Sequence, residues 1–149
     1  MNILVSACLL GVACRYDGKS KPNEKILAML NNPVFNLIPV CPEILGGLST
    51  PREPCEIRGE RVVTESGIDR TEEYERGAAE TLRIAKLFRC NLAIFKEKSP
   101  SCGSGKIYDG SFSRTLTDGD GITTRLLKAN GIRVVGESEL DGLEFDFEN

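Results

Sequence analysis

Three stretches of this sequence place a thiol directly after an apolar run. Ser6-Ala7-Cys8-Leu9-Leu10-Gly11 follows Ile3-Leu4-Val5, and Val40-Cys41-Pro42-Glu43 follows Phe35-Asn36-Leu37-Ile38. Ser99-Pro100-Ser101-Cys102-Gly103 follows Leu92-Ala93-Ile94-Phe95 in the same way. Each apolar run reads as a strand, so each thiol stands at or near a strand exit. If the strands are parallel, all three thiols lie along one sheet edge, where ligands of open α/β sheets bind. Three thiolates at one rim suit a soft metal centre. Three protein ligands rather than four leave one metal position open for a substrate, the difference between a catalytic and a structural site. An iron–sulfur cluster with one unligated iron is the sharpest form of this reading. The competing reading is ordinary burial, because cysteine is among the residue types most often found in cores. Composition and spacing do not separate the two. Cys55 and Cys90 suit the core better, and Cys14, close after Cys8, is placed to fold back toward it.

Other side chains near these thiols offer acid–base chemistry. Glu43 stands two residues after Cys41, so a carboxylate held there would act as general base toward water or general acid toward a leaving group. A surface glutamate after a proline is the commoner fate. Ser99 and Ser101 flank Pro100 beside Cys102, placed to hydrogen-bond sulfur or substrate, although loop capping is the usual role of such serines. The chain has no histidine, which removes Cys–His dyads, Ser–His–Asp triads and histidine-bearing zinc sites. It also has no C-x-x-C pair, so zinc ribbons, thioredoxin-like redox pairs and dense ferredoxin runs are absent. Gly105-Lys106 is no Walker loop, since Pro100 and Ile107 occupy its other required positions. A calcium loop around Asp118 and Asp120 would need ligands where Leu116 and Leu127 stand. Six residues, not the five of a phosphatase-type thiol loop, separate Cys8 from Arg15.

These residues must be positioned by a sheet. Residues 2–6 read as a first strand and Phe35–Val40 as a second, joined through a loop with the Asp17-Gly18 turn and a short helix from Pro22 to Leu30. Residues 41–69 are irregular and rich in proline and glycine, with a small hairpin expected around Gly59. So long a loop is usually functional. Residues 69–90 carry the strongest helical pattern, with Asp69 and Glu72 as a capping pair and Gly77-Ala78-Ala79 allowing close approach of a neighbour, expected to be the sheet. Leu92–Lys96 is a third strand, 98–121 a glycine- and serine-rich loop, 122–129 a short helix and 132–135 a fourth strand. In the acidic tail after Glu137, Leu140, Leu143, Phe145 and Phe147 are expected to pack onto the body. The alternation predicts a single α/β domain over 1–149. Its mostly parallel sheet has about four strands, helices on both faces, and the cysteine loops at the strand carboxyl ends.

The whole-chain figures fit that picture. At 149 residues, 40% hydrophobic and 28% charged, the chain is long enough for a real core. A net charge of −3 gives no basic field, so no nucleic-acid binding through a basic patch and no anionic-membrane binding is expected. No apolar run approaches the roughly 20 residues of a membrane span. Six cysteines without an evident secretory leader indicate a reducing, cytoplasmic setting.

The motifs also resemble a known family. Ser6–Gly11 with Cys14-Arg15-Tyr16-Asp17-Gly18, Pro39–Glu43 with Gly46-Gly47-Leu48 and Pro51-Arg52, and Ser99–Gly103 are together similar to the thiouracil desulfurases, small bacterial and archaeal proteins. The resemblance runs from Ser6 to about Gly131. It implies a 4Fe-4S cluster held by three cysteines, matching Cys8, Cys41 and Cys102, with one open iron acting as Lewis acid. It implies non-redox desulfuration of a small thiocarbonyl compound, a thiouracil-like base or nucleoside. Glu43 matches the acid/base residue. A serine of the Ser-Pro-Ser-Cys motif is expected to assist, Ser101 before Ser99, and Asp17 is a further candidate for orienting the substrate. Two other classes compete: a metal-free persulfide or sulfur transferase using Cys8 or Cys102, and a non-enzymatic iron–sulfur sensor in which Glu43 is dispensable.

Overall fold

The computed structural model describes residues 1–145, so Phe147 lies outside them. In chain order the elements are β1 (Asn2–Ser6), α1 (Glu24–Met29), β2 (Asn36–Val40), α2 (Pro42–Leu45), β3 (Cys55–Arg58), β4 (Arg61–Thr64) and α3 (Thr71–Leu87). These are followed by β5 (Leu92–Phe95), β6 (Lys106–Tyr108), β7 (Leu116–Asp118), α4 (Ile122–Ala129) and β8 (Arg133–Gly136), with 3-10 helices at Ala7–Leu10 and Glu137–Gly142. Strands β2, β1, β5 and β8 form one sheet in that order, and every neighbouring pair is parallel. The chain leaves β1 to one side for β2 and crosses to the other side for β5. The switch point therefore falls beside β1, where the open edge of such a sheet binds ligands.

Period-two alternation sorts the strand side chains between two cores. Ile3, Val5, Leu92, Ile94 and Val135 point to a layer completed by Ile26 of α1, with Leu140, Leu143 and Phe145 of the tail packed against it. Leu4, Val40, Ala93, Phe95 and Val134 point the other way, to Ala85 of α3 and Leu127 of α4. Helices thus cover both faces, and Ile3, Leu4 and Val5 are all fully buried. A continuous apolar run is what a parallel strand with two covered faces needs. Pro39 is tolerated because β2 is an edge strand. The tail packs as expected through Phe145, whose ring lies 4.7 Å from that of Phe35.

Two segments expected to be irregular carry structure. Pro42–Leu45 forms one helical turn, α2, and the loop 98–121 contains the antiparallel pair β6–β7. The expected hairpin around Gly59 forms as β3–β4. At the start of α3, Asp69 accepts the Thr71 N–H at 2.8 Å while Glu72 stays exposed. Gly77 does allow a close approach, but by α2 rather than by the sheet. A Cβ on Gly77 would meet the Pro42 carbonyl oxygen at 1.9 Å, and one on Gly46 would meet that of Glu73 at 1.9 Å. Two glycines facing each other let α2 sit against α3 backbone to backbone. That contact fixes the residues directly after Cys41.

Gly77→Ala should therefore force α2 away from α3. The expected cost is about 3 kcal/mol, the upper end for overpacking, seen as a lowered Tm in thermal denaturation. Gly142→Ala, whose Cβ would meet nothing within 4 Å, should leave Tm unchanged.

Candidate active site

The carboxyl ends of β1, β2 and β5 open into a cavity of about 560 Å³. Each cysteine is delivered to it by a different local device. Cys8 lies in the 3-10 helix that breaks β1, and Gly11, with φ of 98°, turns the chain back. Cys41 is held extended because proline follows, and Pro42 then opens α2. Cys102 is set by a serine-capped turn: Ser99 Oγ accepts the N–H groups of Ser101 at 3.1 Å and Cys102 at 2.9 Å. The first turn of α4 closes on the same motif, with the Thr123 N–H donating to the Ser101 carbonyl and Thr124 Oγ1 to the Cys102 carbonyl.

Cys8, Cys41 and Cys102 all line this cavity, and Cys14 joins them. Cys14 folds back as its spacing suggested, and its carbonyl accepts the Cys41 thiol at 3.8 Å. Cys90 packs instead in the α3–α4 core. Cys55, expected to be structural, lines the cavity from the β3 side. The hydrogen bond with Cys14 and then burial raise Cys41 well above the ordinary thiol range. Burial pushes Cys102 up to about 12, against smaller opposing effects of Ser101 and Ser6. For Cys14 the bond with Cys41 lowers the value, but the bond with Cys8 and burial raise it overall. Raised in this way, Cys41 and Cys102 are poor nucleophiles, and a bound cation would favour their thiolates.

Among the described residues no group of three or more His, Cys, Asp or Glu side chains is arranged to hold a metal ion. Cys8, Cys14, Cys41, Cys55 and Cys102 line one cavity. None of the six cysteines is tied up in a disulfide. Free thiols on one cavity wall are the soft donor set that an iron–sulfur cluster requires.

Beside the thiols, three donors converge on Glu43. Arg52 Nε and the Tyr74 hydroxyl donate to Oε1 at 3.0 and 2.9 Å, and Ser101 Oγ donates to Oε2 at 2.7 Å. The Arg52 and Glu43 side chains are only 8% and 14% exposed. Oε1 has both lone pairs engaged, whereas Oε2 keeps one free. Ser101 spends its proton on Glu43, so the 2.9 Å contact between Ser99 and Ser101 is donated by Ser99. The result is a directed chain, Ser99 to Ser101 to Glu43.

Arg52 also binds Cys14: its Nη2 donates to the Cys14 carbonyl at 2.9 Å, and its backbone N–H donates to the Tyr16 carbonyl at 2.8 Å. Burial, the largest single effect, lowers the guanidinium, but the Glu43 charge and hydrogen bond together with Cys41 and Tyr74 leave Arg52 raised. Burial, followed by that same charge, holds the Tyr74 hydroxyl far above its usual value, so it remains a donor.

Of the expected residues, Glu43, Ser99 and Ser101 meet in one network. Asp17 is not among the cavity-lining residues; it accepts the Lys19 N–H at 3.0 Å and pairs with Arg15 at 3.7 Å. Arg15 itself lines the cavity. Arg52 and Tyr74 were not singled out from the sequence. Tyr74 looked like one more apolar position of a helix, and only the Pro51-Arg52 motif hinted at the arginine.

Comparison with known proteins agrees with this geometry. A solved structure of the [4Fe-4S]-dependent thiouracil desulfidase TudS superposes with a TM-score of 0.89 and 46% identity, covering 95% of this chain and 94% of that one. The protein YbbK of Bacillus subtilis (strain 168) is 47% identical over 151 residues, 95% of this chain and 99% of its own length. The family model of 2-thiouracil desulfurase matches residues 3–139. Essentially the whole sheet and every cavity residue fall within that match, and the chain belongs to the 2-thiouracil desulfurase family.

Proposed function

We propose that this chain is a [4Fe-4S]-dependent desulfidase that converts a thiocarbonyl of the thiouracil type to the carbonyl. The net step is C=S plus water giving C=O plus hydrogen sulfide, with no change of oxidation state. Family membership and the likeness to TudS support the reaction class. One observation carries it at the level of residues: the thiols and the triply held Glu43 share one cavity.

Cys8, Cys41 and Cys102 are the proposed ligands, one from each of three strand exits. When bound, the cluster supplies a Lewis-acidic iron that prefers sulfur to oxygen and so tells substrate from product. Glu43 does the proton work. Its free lone pair is on Oε2, so the proton of the attacking water is accepted there. Arg52 and Tyr74 fix the plane of the carboxylate through Oε1, and Ser101 fixes Oε2. The serine chain, donating from Ser99 to Ser101 to Glu43, is directed to deliver a proton to the carboxylate, so it can replace the one Glu43 hands to the departing sulfur. Arg15, held by Asp17, contributes to the wall on which the substrate is oriented. The six free thiols fit a reducing compartment, and we place the protein in the cytoplasm. No helix among the described residues is long and apolar enough to cross a membrane. Since three strand exits of one sheet and the β3 wall all contribute, residues 1–149 are read as one desulfidase domain.

Anaerobically reconstituted protein should convert 2-thiouracil to uracil and release one sulfide per uracil. Absence of uracil formation would overturn the reaction. Glu43→Gln should lower turnover by about 10²- to 10⁴-fold, the usual worth of a positioned acid/base group, at unchanged iron content. A Glu43→Gln variant with wild-type turnover would remove Glu43 from the mechanism. Ser101→Ala should lose more turnover than Ser99→Ala, because only Ser101 touches the carboxylate. The reverse order would put the proton path elsewhere.

A further inference from the structure

The β3–β4 hairpin contributes no group to the acid–base network, yet three of its features point at one loop. That loop, between β6 and β7, carries Phe112 and Arg114, and both line the cavity. Both are non-glycine residues with positive φ, 56° and 61°. Such a backbone persists only where its surroundings hold it. Glu56 of β3, only 8% exposed, accepts the N–H groups of Gly110 at 3.0 Å and Phe112 at 3.2 Å through one oxygen, Oε1. Arg58 Nε donates to the Gly110 carbonyl at 2.6 Å. Gly110 itself is pressed against the strand: a Cβ there would meet the Ile57 carbonyl oxygen at 2.7 Å. The Arg58 guanidinium lies over one face of the Phe112 ring, 5.3 Å from its centroid, and Arg58 does not line the cavity. Phe112 thus lines the cavity with its ring backed by Arg58.

We infer that Phe112 is a substrate-contact residue offering its ring to a planar thiolated heterocycle, and that Glu56 is a positioning residue holding it there. The inference rests on the desulfidase reading for the kind of ligand. An aromatic ring suits this role because stacking recognises the planar π-face of a base whichever exocyclic atom it bears. Thiocarbonyl and carbonyl forms stack alike, so Phe112 adds affinity for the ring while discrimination of sulfur is left to the metal side. Glu56 also lines the cavity, but its Oε1 is spent on the two loop amides, so its part here is to hold the loop. Its carboxylate is a buried acceptor for two amides, and losing it frees a strained backbone to relax.

The test pairs steady-state kinetics on 2-thiouracil with calorimetric binding of uracil to the cluster-loaded protein. Phe112→Leu should raise KM and weaken uracil binding about tenfold, within the range for losing one base–aromatic stack, with kcat changed far less. Phe112→Tyr should restore both. Glu56→Ala should mimic Phe112→Leu, Glu56→Gln should be rescued because it keeps the Oε1 acceptor, and Glu56→Ala combined with Phe112→Leu should be no worse than either alone. Unchanged uracil binding in Phe112→Leu overturns the inference, as does a fully additive double variant. Weakened uracil binding without any turnover in the wild type would instead refute the desulfidase reading and leave the ring contact standing.

Discussion

The Arg52–Glu43 pair is the contact on which the rest of the site depends. An ion pair this buried is weak evidence of stability, since its desolvation cost offsets much of its attraction. Its value lies in what it connects. Glu43 belongs to α2, Tyr74 to α3 and Ser101 to the loop after β5, and Arg52 reaches back to the carbonyl of Cys14. A single carboxylate thus joins four segments that are distant in sequence. Removing either charge would leave the other buried and unpaired, a loss of about 3–5 kcal/mol, so the network is tied to the integrity of the fold as well as to catalysis.

The fold prepares this contact before any side chain makes it. Gly46 and Gly77 let α2 press on α3, which brings the first turn after Cys41 to Tyr74. Gly121 has the same function on the other side: a Cβ there would meet the Ser101 carbonyl carbon and oxygen at 2.5 Å, so its absence lets α4 close on the Ser-Pro-Ser-Cys turn. Thiols and carboxylate are therefore set by backbone packing at two helix approaches, with the parallel sheet as common reference. This division is consistent with a site built on strand ends and short turns rather than on mobile loops.

Much of this was legible in the sequence, for identifiable reasons. The central strands β1 and β5 are legible because strands buried on both faces are continuous apolar runs, as in Ile3-Leu4-Val5 and Leu92–Phe95. The parallel order of the sheet followed from the alternation with helices, and that order placed Cys8, Cys41 and Cys102 at one edge. What escaped was short or non-local. A four-residue helix such as α2 has no periodicity to read, and β7, Leu116–Asp118, is exposed at every position, so it lacks strand alternation. Gly77 announced a close approach but not by which partner. Arg52 and Tyr74 gave no sign of sharing Glu43, because only the tertiary fold brings them together. Asp17 looked like a ligand-facing acid in a turn; its carboxylate serves the turn and Arg15 instead.

The central claim is that three strand-end thiols act as one ligand set beside Glu43. Iron and acid-labile sulfide content of anaerobically reconstituted protein tests it most directly, with each cysteine changed to alanine in turn. The account predicts about four irons and four sulfides per chain, lost on changing Cys8, Cys41 or Cys102 and kept on changing Cys14, Cys55 or Cys90. Loss with Cys14 and retention with Cys41 would contradict the ligand set. Absence of iron in every sample would contradict the cluster itself and favour a metal-free sulfur transferase.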